Sequence, residues 1–258
     1  MNSGMYSALS GNLSAMKRLD IIASNLANAS TNGFKQDRIA FESVLAGNQN
    51  PPAVPPARTA DPVLLNERMT TDYSPGALVQ TGNTLDVALQ GDGFFAVRTP
   101  EGIAYTRQGN FRLTSDGTLV TANGYTVLSK AGDNPADGQP IKIDVTAQTS
   151  GEKPVIDSQG NVTLNGEPIA TIAIFDFSKP YSLIKTAGTF FLAGDGVTPQ
   201  QASPLTSIAQ GSLEQSNVNT IAEMVQMVET SRHFETCQRM VRSFDDMAAK
   251  TINDLARV

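Results

Sequence analysis

A stripe of residues spaced by threes and fours runs along the C-terminal end of the chain: Ile221, Met224, Met227, Ser231, Phe234, Cys237, Val241, Phe244, Ala248, Thr251 and Leu255. That period is the period of a coiled-coil seam, and no Gly or Pro interrupts the chain from Leu213 to Val258. Thr220 followed by Glu223 has the form of a capping box, and Asn217 and Asn219 are further cap candidates. The N-terminal end repeats the pattern with Leu9, Leu13, Met16, Leu19, Ala23 and Leu26, which predicts a helix from near Ser3 to near Asn28. Two seams at opposite ends must cover each other or find partners. More apolar side chains flank them: Val225, Val228, Met240, Met247 and Ile252 in one helix, Met5, Tyr6, Ile21 and Ile22 in the other. An arc wider than one seam calls for more than one packing neighbour.

Between the ends the chain changes character. "NQNPPAVPPARTADP" holds five of the fourteen prolines and reads as an extended connector. From Leu85 short β-type runs alternate with turns, and Asp116-Gly117 and Asn123-Gly124 are hairpin dipeptides. Further strands are expected at 141–146, 154–157, 161–164, 168–177 and 189–192. The reading is an α+β chain in which the terminal helices pair, coiled-coil-like, as a discontinuous domain around a β-rich middle. Its segments are an N-terminal helix and following turn (1–47), a Pro-rich connector (48–84), the β-rich domain (85–210) and a C-terminal helix (211–258).

Little here suggests chemistry. The net charge of −6 argues against nucleic acid as a partner, because phosphate binding needs clustered Lys and Arg. One cysteine, Cys237, and one histidine, His233, can complete neither a zinc site nor a Ser-His-Asp triad. "GDGFF" (91–95) lacks the third glycine of a dinucleotide loop and reads as a turn before a buried strand. "DNPADGQPIKID" (133–144) places Pro135 where a calcium loop needs a ligand, so it reads as a polar loop. No catalytic residue, cofactor or metal is expected. The N-terminus has neither a basic region nor an unbroken apolar core, so no cleaved signal and no membrane insertion are expected. An interaction protein remains.

"SNLANASTNGFK" (24–35) resembles the signature of flagellar basal-body rod and hook proteins, matching at Asn25, Leu26, Ala27, Asn28, Thr31, Gly33, Phe34 and Lys35. Residues 85–128, with Gly-x-Gly-Phe-Phe and Tyr-Thr-Arg-x-Gly-x-Phe, resemble that family's middle block. Residues 211–247, with Ser216, Asn217 and Val218 before the last helix, resemble its C-terminal block. Length and the compact middle favour the proximal-rod class, with the distal-rod class as the alternative. The resemblance implies export through the flagellar type III apparatus without signal cleavage. It also implies helical assembly with copies of itself and other rod subunits into the periplasm-spanning rod, the terminal helices forming the inner tube that transmits torque. A soluble β-domain binding protein dimerised by its helices is a further alternative. On the rod reading, the asparagines and the threonine of the signature are backbone hydrogen-bond partners, and Gly33 turns the chain.

Overall fold

The structure is a computed structural model that describes residues 2–44, 64–132, 134–143, 153–179, 181–186, 188–194 and 196–255. Parts of several expectations lie outside the described residues, among them 45–47 of the N-terminal segment, 48–63 of the connector, 144–146 of an expected strand, the two end residues of the loop 133–144, and 256–258 of the C-terminal segment. Two compact units emerge, and neither is continuous in sequence. A helical unit comprises Met1–Ala27, Gln36–Tyr73 and Asn219–Val258; a β unit comprises Asn28–Lys35 and Ser74–Val218.

In the helical unit, α1 (Asn2–Ala27) packs on α2 (Thr220–Leu255). The cap of α2 is Asn219, whose Oδ1 accepts from the Ala222 N–H at 3.1 Å. The capping box expected at Thr220 is not used, because the Glu223 carboxylate is engaged elsewhere. Strands β1 (Asp37–Val44) and β2 (Leu64–Thr71) pair antiparallel without a break, from Asp37 opposite Thr71 to Val44 opposite Leu64. Residues 64–71 and 78–80, expected in the connector, are thus strands with partners.

The β unit holds β3 (Leu78–Gln80), β4 (Val87–Gln90), β5 (Phe94–Thr99), β6 (Gly102–Thr106), β7 (Arg112–Leu113), β8 (Leu119–Val120) and β9 (Thr126–Val127). Next come β10 (Val155–Ile156), β11 (Asn161–Leu164), β12 (Glu167–Thr171), β13 (Ile174–Asp176) and β14 (Leu183–Lys185). The last four are β15 (Phe190–Ala193), β16 (Gln200–Gln201), β17 (Ser207–Gln210) and β18 (Ser212–Glu214). The main sheet runs β14-β15-β6-β5-β9-β8-β7, β13 also pairing with β5, and β10-β11-β12 form a separate three-stranded sheet. One expected strand, 168–177, is therefore two. The chain parts from β11 after Thr171 and joins β5 at Ile174.

Alternation along β5 explains the core. Phe95 and Val97 point into an aliphatic cluster with Phe111, Val127, Ile141, Ile172 and Phe190. Phe94, one residue away, meets Phe177, Tyr181 and Phe191 on the other face, where Tyr105 stacks edge-on to Phe177 with centroids 4.7 Å apart. Both faces of the central strands are covered, as their near-continuous apolar sequence requires. The run "TRQGNF" (106–111) divides its duties here: Phe111 fills the core, and a Cβ at Gly109 would fall 1.7 Å from the Val87 carbonyl oxygen. Only glycine allows β4 to approach that closely.

Candidate functional site

Two features of the molecule gather the residues singled out in the sequence: the faces of the terminal helices and the turn that follows α1.

The face that α1 turns toward α2 carries Ala8, Ala15, Ile22 and Asn25, all buried, with Leu19 and Leu26 half-buried. The corresponding face of α2 carries Glu223, Thr230 and Cys237, buried, with Met227, Phe234, Val241 and Phe244 half-buried. The spacing from 223 to 244 alternates four and three without exception, so the seam exists. It is not the stripe marked by the largest side chains. Leu9, Leu13 and Met16 are exposed, as are Ala23, Ile221 and Met224; Leu13 is 54% exposed and Ile221 74%. Val225, Val228, Met240 and Met247 are exposed too. The side chains of Ala248 and Leu255 lie outside the described residues. Small residues let the helices approach closely, with a Cβ at Gly11 in van der Waals contact, 3.4 Å, with the Cys237 sulfur. The expected stripe is thus shared between an inward face and an outward one. Burying a single Leu, Met or Ile from the outward face would contribute about 1.5–3 kcal/mol.

Near the C-terminal end of α1, the helical unit closes with a polar cluster. Asn25 acts as a strand partner. Its Nδ2 donates to the Asp37 carbonyl at 2.9 Å and its Oδ1 accepts from the Asp37 N–H at 3.0 Å. Glu223 accepts from Gln36 Nε2 at 2.5 Å and from Asn25 Nδ2 at 3.5 Å, and Thr71 Oγ1 donates to Asp37 Oδ1 at 2.7 Å. These buried groups are satisfied by one another, which is what burial of polar atoms demands.

The turn after α1 belongs to the β unit. Thr31 N–H donates to the Asn28 carbonyl at 3.1 Å, Thr31 Oγ1 to Asn28 Oδ1 at 3.2 Å, and Phe34 N–H to the Thr31 carbonyl at 3.3 Å. Gly33 has φ +69°, and a Cβ there would come within 2.5 Å of the Arg107 carbonyl carbon. Its N–H donates to the Glu214 carbonyl at 2.8 Å. Phe34 is buried beneath Lys185, whose ammonium lies 3.8 Å from the ring centroid and donates to the Lys35 carbonyl. Asn217 N–H donates to the Phe34 carbonyl at 3.4 Å, and Ser216 Oγ accepts from the half-buried Val218 N–H.

Beside this turn sits a charge cluster that sequence reasoning missed. Lys35 and Glu214 are each 1% exposed at the side chain and meet at 2.6 Å, while Arg107 reaches the other carboxylate oxygen at 3.3 Å. Lys35 Nζ also donates to the Ser74 carbonyl, Gly76 N–H donates to Glu214 Oε1, and Arg107 donates to the Gly91 carbonyl over the Phe94 ring. Removing one partner of such a buried set leaves an uncompensated charge, at about 3–5 kcal/mol. The signal in the sequence was slight: Lys35 directly after buried Phe34, and Glu214 directly after buried Leu213. Their separation of 179 residues hid the pairing.

His233 Nδ1 lies 3.7 Å from the Cys237 sulfur, and among the described residues no group of three or more metal-binding side chains forms. No helix among the described residues is long and apolar enough to cross a membrane. Paired terminal helices that leave leucines, methionines and valines outside, in one chain with a β unit built around paired buried charges, define a structural interaction protein. Known proteins place it further. The family described as "Flagella basal body rod protein" matches residues 5–35, "Flagellar hook protein FlgE/F/G D1 domain" residues 88–164, and "Flagellar basal body rod FlgEFG protein C-terminal" residues 209–255. The chain is 34% identical to the flagellar basal-body rod protein FlgF of Rhizobium meliloti, over 99% of this chain and 98% of that one. It is 32% identical to the rod protein FlgG of Bacillus subtilis, over 98% and 99%, and 31% identical to FlgF of Escherichia coli, over 97% of each. The chain belongs to the flagellar basal-body rod protein family, whose members are structural proteins and not enzymes.

Proposed function

We propose that this chain is a proximal-rod subunit that polymerises through the outward faces of its terminal helices. The observation that carries the reading is the apolar stripe that α1 and α2 leave uncovered: Leu9, Leu13 and Met16 on one, Ile221, Met224, Val225 and Val228 on the other. Copies of the chain and neighbouring rod subunits supply the missing packing partners. A contact of that kind joins unlike faces, so it does not close on itself and grows as a helical filament. Such a filament passes torque through buried helix–helix contacts. The FlgF names of several relatives favour the proximal class, and the distal class, represented by the B. subtilis relative, is the second reading. Travel through the flagellar type III exporter without signal cleavage, and residence in the periplasm-spanning rod, follow from the same family reading.

The test is Leu13→Asp or Val225→Asp. Each places a charge on the outward face without touching the inward seam. Cells relying on either variant are expected to export a folded subunit yet to lose swimming and rod assembly. Normal swimming by both variants would contradict the proposal. Recovery of the chain at the distal end of the rod would move the assignment to the distal class.

A further inference from the structure

The helix pair is a weak structure on its own. Its seam buries alanines, a cysteine, a threonine and Glu223, with Ile22 as the one large, fully buried apolar side chain among the described residues. The two helices are far apart in sequence; Asn25 and Glu223, which meet in the seam, are separated by 198 residues. Closing so long a loop costs entropy that a seam of small residues is poorly equipped to offset.

Within the β unit, the segments directly outside both helices are fastened together. Residue 28 follows the last residue of α1, and residue 219 precedes the first of α2. Lys35 Nζ donates to Glu214 at 2.6 Å and to the Ser74 carbonyl at 2.8 Å, and Gly76 N–H donates to the same Glu214 oxygen at 2.9 Å. Arg107 holds the second carboxylate oxygen, and Asn217 Nδ2 donates to the Ser74 carbonyl at 3.1 Å. The Gly33 N–H to the Glu214 carbonyl and the Asn217 N–H to the Phe34 carbonyl bind the two backbones directly. Four stretches of chain, 28–35, 74–76, Arg107 and 211–217, therefore meet around one buried carboxylate.

We infer that this cluster is a clasp that makes helix pairing local. By holding residues 28–35 against 211–217, the β unit brings the roots of α1 and α2 together before the helices pack. Through the Gly33–Glu214 and Phe34–Asn217 bonds the effective loop between Asn25 and Glu223 falls from 198 residues to roughly 15–17, which favours closure several tens of fold. A subunit can then carry helices that open and close on each other and still re-form the same pair, because their roots stay clasped. The inference concerns the isolated subunit and stands apart from what the helices meet in an assembly.

Cys237 supplies the assay. In the full-length chain, Gly11→Cys sets a second thiol against it, and the effective concentration of the resulting disulfide, measured in a glutathione redox buffer at high dilution, reports pairing of α1 with α2. Adding Glu214→Gln or Lys35→Met is expected to lower that effective concentration severalfold, while amides of β5 and β6 stay protected from exchange. An unchanged effective concentration with β5 and β6 still protected would overturn the inference. Should both variants unfold the β unit, Asn217→Ala replaces them, since it removes side-chain bonds to Ser74 and leaves the buried charges in place. A severalfold fall in that variant supports the clasp, and no fall overturns it.

Discussion

The two units of this chain solve burial in opposite ways. The β unit puts its largest side chains inside: Phe95 and Phe191 are fully buried, and aromatic rings cover one face of its central strands while aliphatic groups cover the other. The helical unit puts small and polar residues inside and leaves leucines, methionines and valines in water. The first is a finished domain. The second has the pattern of a surface awaiting a partner, since an apolar stripe of this extent is left bare on few soluble monomers. One chain thus keeps a filled core and an uncovered apolar surface in separate places, and substitutions in the two units are expected to have different consequences.

The largest effect is expected inside the β unit. Phe95→Ala empties a site stacked on Phe111 at 5.3 Å between centroids and should cost about 3–5 kcal/mol in denaturant unfolding followed by near-UV dichroism. A loss below about 1 kcal/mol would mean that this core repacks freely, and the contrast between units would weaken. Gly33→Val comes next. It places a β-branched residue at φ +69° against the Arg107 backbone, with a strain of about 1–3 kcal/mol before any clash is counted. The signature turn should lift from its seat, seen as faster amide exchange at residues 31–34, and unchanged protection there would refute the geometry.

A smaller effect is expected at high pH. Burial pushes the phenols of Tyr105 in the β unit and Tyr73 in the helical unit up to about 12, from an ordinary value of 10. A tyrosine is neutral below its pKa, and here the folded value is the raised one. The unfolded state therefore ionises first, so the contribution is intact below pH 10 and is lost as pH rises toward 12. Tyr105→Phe should flatten the fall in stability of the β unit across that window. An unaltered pH profile would show that the phenol is not buried as described.

Much of this was legible from the residues. Helix period, hairpin dipeptides and short β-type runs between turns are local signals, and they place both helices and most strands. Which helix face turns inward was not legible. Leu9, Leu13 and Met16 mark the stronger stripe, yet the seam follows Ala8, Ala15 and Ile22. Hydrophobicity identifies an apolar face without saying which copy of the chain covers it. The split of 168–177 into β12 and β13 was hidden for a related reason: both halves look like strands, and only the partners differ. The polar side chains of the signature read as backbone partners; in the structure Asn25 bonds the Asp37 backbone, whereas Thr31 Oγ1 bonds the Asn28 side chain and the turn itself is held by backbone–backbone bonds. Nothing in the sequence pairs Lys35 with Glu214, because a contact across 179 residues leaves no periodic trace.

The central claim is that the outward helix faces are covered only by neighbouring subunits, and thiol labelling tests it directly. Leu13→Cys places a reactive group on the outward stripe of α1, while the native Cys237 is buried. Maleimide should modify the introduced thiol rapidly in the purified subunit and at least a hundredfold more slowly in isolated basal bodies. Equal rates in the two states would contradict the account.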